Sequence, residues 1–118
     1  MIIGDECFEN VDLFSIDGLN ELKYIKIGIN SFTHLKGGDV WNDYRANNPN
    51  RSFSILNCGE LKVIEIGLYS FSDYGGKFEL FNLPKLSTIK IGEVDSWSFD
   101  FHYSSFVIKG ILYNIAKE

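Results

Sequence analysis

The sequence predicts a β-rich array of two parallel sheets, built from about four coils of 24–25 residues with little helix. Three observations carry that reading. An eleven-residue pattern, L-x-x-I-x-I-G-x-x-S-F, stands at 61–71 (LKVIEIGLYSF) and recurs at 22–32 (LKYIKIGINSF). Its first part returns at 86–92 (LSTIKIG), with the Ser-Phe delayed to Ser98 and Phe99, and a half copy opens the chain at Ile2-Ile3-Gly4 before Cys7-Phe8. The Gly that follows each I-x-I falls at Gly4, Gly28, Gly67 and Gly92, at intervals of 24, 39 and 25 residues, so the middle interval carries an insertion of about 15. A second apolar run lies between these markers, at Phe14-Ser15-Ile16, Phe53-Ser54-Ile55, Phe78-Glu79-Leu80 and Phe106-Val107-Ile108.

Each unit therefore holds two short alternating runs, F-x-I and I-x-I. Strict alternation rich in Ile and Phe is the signature of strands, and the spacing is too short for a crossover helix. Stacking the copies aligns core columns: Phe14/Phe53/Phe78/Phe106, Ile16/Ile55/Leu80/Ile108 and Leu19/Cys58/Leu83/Ile111 on one side. On the other are Leu22/Leu61/Leu86, Ile25/Ile64/Ile89, Ile27/Ile66/Ile91 and Phe8/Phe32/Phe71/Phe99. One unit cannot bury its own apolar face, so stability must come from neighbouring units. The Gly column is expected to end a strand at a backbone angle that only Gly adopts cheaply. Gly18, Asn57 and Asn82 fit a turn where an amide side chain bonds the next coil, and Cys7, Ser31 and Ser70 form a small-residue turn column.

These units resemble leucine-rich repeats, specifically the BspA-like kind found in bacterial and protist surface proteins, with I-x-I strands ending in a Gly and a small residue before Phe. The period lies within the 20–29 residues of that class, and the likeness covers nearly the whole chain. It implies a right-handed solenoid and a non-enzymatic module whose strand face and inserted loop bind a protein, or a glycan. The chain departs from the type in its shortness, its missing secretion signal and its Ile- and Phe-rich Leu columns.

The 118 residues amount to one domain, 1–118, and the tail 112–118 is a candidate cap for the last coil. A net charge of −5 argues against nucleic acid or an anionic membrane as partner, since both select basic patches. No apolar run reaches the roughly 18–20 residues of a membrane span, and no signal peptide opens the chain. The default location is thus intracellular, although the resemblance is to surface proteins.

Function is sought first in the insertion at 33–52, which is polar, rich in Gly and Asn, and holds Trp41, Asp43, Tyr44 and Arg45. Inserted loops of repeat arrays usually lie on one, often binding, face. The alternative is a solvated loop whose Trp41 covers the sheet edge; on either reading the stretch 33–50 is expected to be dispensable for folding. A shorter insertion after Gly92 brings Trp97, read in the same two ways. Outward positions of the I-x-I strands form the rows Tyr24/Val63/Thr88 and Lys26/Glu65/Lys90. The second row offers opposite-charge contacts of roughly 0.2–1 kcal/mol each, or a mixed-charge surface for a protein partner.

No chemistry of catalysis converges. His34 and His102 sit in different units, and Cys7 and Cys58 in different columns, so neither a disulfide nor a zinc site follows. The Gly pairs at Gly37-Gly38 and Gly75-Gly76 lack the P-loop spacing. No catalytic residue, cofactor or metal is expected. The competing function is assembly: Met1 falls in the slot of Ile25, Ile64 and Ile89, so the first strand reads as cut short, and open ends would join copies into a homo-oligomer.

Overall fold

A computed structural model describes residues 1–38, 44–92 and 100–110. Among these residues, eight strands alternate between two four-stranded sheets. β1 (Ile2–Ile3), β3 (Tyr24–Ile27), β5 (Val63–Ile66) and β7 (Thr88–Ile91) form one, in that order. β2 (Leu13–Asp17), β4 (Ser52–Leu56), β6 (Lys77–Phe81) and β8 (Ser105–Lys109) form the other. Every pairing between them is parallel. The only other regular pieces among the described residues are a kinked turn at Lys36–Gly38 and a single 3-10 turn at Tyr44–Ala46.

The register matches the columns of the sequence. Phe14 lies opposite Phe53, Phe53 opposite Phe78 and Phe78 opposite Phe106. Ile25, Ile64 and Ile89 form a second row, and Ile27, Ile66 and Ile91 a third. The alternation works as expected: in β4 the side chains of Phe53 and Ile55 are buried while Ser54 and Leu56 lie on the other side. Phe rings continue the stack across the sheets, Phe14 on Phe53 at 4.8 Å and Phe53 on Phe78 at 4.9 Å, nearly parallel. A second stack runs Phe32 on Phe71 at 4.6 Å and meets the first edge-on, Phe53 to Phe71 at 5.0 Å. Each such pair adds about 0.5–1.5 kcal/mol beyond the area it buries.

Several outermost members of the columns depart from the expected core, although Phe14, Ile16 and Leu86 are buried. Phe8 is 54% exposed, Phe106 55%, Leu19 46% and Ile108 38%. In a one-dimensional stack an end member meets a neighbour on one side only. Ile111, the last of the Leu19 column, and the tail 112–118 lie outside the described residues, as does Phe99. The fourth place of the second Phe stack is held by Phe101, which is buried and stacks on Phe71 at 4.8 Å.

The Gly column is also explained differently. Gly92 has the expected positive φ, but Gly28 and Gly67 do not. They are small because backbones touch: a Cβ on Gly67 would stand 2.6 Å from the carbonyl of Gly28, and one on Gly28 would stand 2.7 Å from the carbonyl carbon of Gly4. In those units positive φ falls on Phe32 and Phe71 in the following turn, and in the opposite turn on Gly18, Asn57 and Asn82. There the expected amide ladder forms, with Asn57 Nδ2 donating to Asp17 Oδ1 and Asn82 Nδ2 to Asn57 Oδ1, both at 2.9 Å. Asn tolerates the left-handed conformation better than most residues and bonds its neighbours while doing so.

Candidate functional site

Two surfaces separate the predicted site residues. The first is the outer face of the β1-β3-β5-β7 sheet. Burial of Ile25, Ile27, Ile64 and Ile66 turns the alternate side chains outward, and parallel register sets Tyr24, Val63 and Thr88 in one row and Lys26, Glu65 and Lys90 in the next. Tyr24 is 45% exposed. The expected Lys-Glu-Lys contacts do not form: among the described residues, none of the three takes part in an ion pair within 4.0 Å. Exposed pairs gain little in water and lose side-chain entropy. The row instead borders a groove of about 310 Å³ whose floor is the close-packed backbone of Gly28 and Gly67. A cross-unit pair does close in the turn column, where Lys85 Nζ reaches Glu60 Oε1 at 2.9 Å and holds that carboxyl below its usual range.

The second surface is a cleft of about 520 Å³ lined by His34, Leu35, Arg45, Asn47, Asn48, Pro49 and Asp73. Arg45 is the predicted residue that the structure places here. Trp41, Asp43 and Trp97 lie outside the described residues, and Tyr44 is described by its backbone, at the start of the 3-10 turn. No lining residue is shared between groove and cleft.

Sequence reasoning missed what holds the cleft. The Arg51 side chain is wholly buried. Its Nη1 donates to Asp73 Oδ2 and to His34 Nδ1, both at 2.9 Å. Its Nη2 donates to the carbonyls of Glu9 at 2.7 Å and Val11 at 2.9 Å. The guanidinium lies over the Tyr74 ring, 4.9 Å from its centre, and the Tyr74 hydroxyl donates to the Val11 carbonyl. Burial lifts the pKa of that phenol to about 12, against the opposing pull of Arg51. A guanidinium only donates, so His34 Nδ1 accepts and the ring proton sits on Nε2, facing Asn10 Oδ1 at 2.9 Å. Thr33 Oγ1 and Ser72 Oγ, both buried, lie 2.6 Å apart. The far wall is pinned by Gly75 and Gly76, where a Cβ would stand 2.5 Å from the Asn48 amide and 2.6 Å from Ser52 Oγ.

The 33–52 insertion is therefore anchored rather than simply solvated: Thr33, Leu35, Ala46 and Arg51 are buried within it. A signal for this was present. The repeat continues two residues past each Ser-Phe, aligning Thr33 with Ser72 and His34 with Asp73. Among the described residues no three His, Cys, Asp or Glu side chains converge on a metal position. No protein-family model, curated protein or solved structure matches the chain.

Proposed function

We propose that this chain is a non-enzymatic leucine-rich repeat module of the BspA-like type, a right-handed solenoid that binds a protein partner through its β1-β3-β5-β7 face and the 33–52 insertion. The repeat reading is supported by the 24–25-residue period, the two parallel sheets and the Asn ladder at 57 and 82. The observation that carries the binding reading is the row of Lys26, Glu65 and Lys90: in register, on one face, and unpaired with one another. Charges left open in a mixed pattern select a complementary partner and exclude wrong ones. Arg45, which lines the cleft, brings the insertion into the proposed binding surface.

The test compares wild type with Lys26→Glu/Lys90→Glu and with Arg45→Ala, each checked for an unchanged circular dichroism spectrum. A partner protein retained by wild type at low salt should be lost from the charge-reversed variant. Equal retention by both would overturn the proposal, and retention of a glycan in place of a protein would redirect it. A second reading, self-association through the ends, draws on the exposed rings of Phe8 and Phe106 at opposite ends of the Phe stacks. Sedimentation equilibrium over a wide concentration range decides it: a single monomer mass throughout excludes that reading.

A further inference from the structure

The turns after β3 and β5 carry a hydroxyl ladder. Ser31 Oγ donates to the Gly4 carbonyl at 2.7 Å and accepts from the Cys7 amide at 3.2 Å. Ser70 Oγ repeats this one unit on, donating to the Gly28 carbonyl at 2.6 Å and accepting from the Ser31 amide at 3.0 Å. The next rung holds Asp100. Phe101 beside it has the left-handed backbone of Phe8, Phe32 and Phe71 and stacks on Phe71, so Asp100-Phe101 stands where earlier units place Ser-Phe. The backbone of Tyr69 and Ser70 lies near the Asp100 carboxyl and favours its charged form. Both carboxyl oxygens are shut from solvent, and neither has a hydrogen-bond partner among the described residues.

A Ser rung both donates and accepts. An ionised carboxylate only accepts, whereas a carboxylic acid does both. We propose that Asp100 closes the ladder as a neutral carboxylic acid, its O–H donating to the Gly67 carbonyl, and that loss of this proton unlatches Phe101 from Phe71. The site is thus a pH-sensitive latch on the last described turn of the array. Burial favours the neutral form and pushes the Asp100 pKa up to about 8, opposed by the amides of Asp100, Tyr69 and Ser70. The titratable side chains of the neighbouring segments are Tyr69 in the turn beneath, Lys90 on β7, and His102 and Tyr103 following on its own segment. No charged side chain is among the causes of its shift.

The direction of the effect follows from linkage. The folded-state pKa of about 8 stands above the ordinary 3.8, so the unfolded chain ionises first. The stability linked to this proton is complete below the ordinary value and is lost as pH rises toward 8. The test is a carbon-13 titration of the Asp carboxyls in wild type, with melting curves of wild type and Asp100→Ser from pH 5 to 9. The Asp100 carboxyl should titrate near 8, and the contact between the Phe71 and Phe101 rings should vanish with it. Asp100→Ser, which supplies the hydroxyl of the earlier rungs, should lose much less melting temperature than wild type over that range. An Asp100 midpoint near 4, or parallel melting curves for the two proteins, overturns the proposal.

Discussion

The Phe stacks and the Arg51 hub lie in the same small protein and are stabilised in opposite ways. In the stacks, Phe14, Phe53 and Phe78 repeat one contact at 4.8 and 4.9 Å, and each ring meets a copy of itself. At the hub, a single guanidinium draws together Glu9, Val11, His34, Asp73 and Tyr74, which differ in kind and meet only at this place. A stack is extended by adding a unit and fades at its ends, as Phe106 does. A hub closes one place only and fails as a whole, because removing the cation strands a buried carboxylate. The array thus gets its length from periodic apolar contacts and the anchoring of its 33–52 insertion from a polar cluster.

This contrast is sharpened first by Phe53→Ala, expected to cost about 3–5 kcal/mol in denaturant unfolding. Phe106→Ala, in the same column but half exposed, should cost only about 1 kcal/mol. Equal losses would mean that position in the stack does not matter. Arg51→Met should cost about 3–5 kcal/mol, since Asp73 stays buried without its partner. Arg51→Met combined with Asp73→Leu should recover part of that loss, with a coupling of about 0.5–3 kcal/mol in the double-mutant cycle. Additive losses would show that the hub is not a unit. Replacing residues 33–50 by a short Gly-Ser link should lower stability by about 2–4 kcal/mol, as several buried hydrogen bonds near 1 kcal/mol each disappear. Asn57→Ala should cost about 1–2 kcal/mol, the penalty of a left-handed backbone without Gly or Asn. Lys26→Ala and Lys90→Ala should shift stability by no more than about 0.5 kcal/mol, having no ion pair to lose.

Much of the fold is legible in the sequence, for a physical reason. Parallel in-register stacking sets like on like, so Ile25, Ile64 and Ile89, or Phe14, Phe53 and Phe78, announce a column through their spacing alone. Columns do not report exposure at their ends, which is why Leu19 and Phe8 pass for core in the sequence. They also do not separate a Gly needed for its backbone angle from one needed for close approach, as at Gly67. The strand-face rows of the candidate site are legible for the same reason as the core. The cleft is not, because Arg51 looks like part of a polar loop and its partners Glu9, Val11 and Asp73 come from distant stretches. The delayed Asp100-Phe101 is obscured in the same way by the insertion after Gly92.

Residue-resolved amide hydrogen exchange tests most directly whether the insertion is anchored to the array as firmly as the Arg51 hub requires. The amides of His34, Leu35 and Gly75, bonded to Asp73 Oδ2, Thr33 Oγ1 and the Asn48 carbonyl, should be protected together with those of Phe71 and Asn57 in the repeating turns. Exchange of His34, Leu35 and Gly75 at free-chain rates, while Phe71 and Asn57 remain protected, would contradict it.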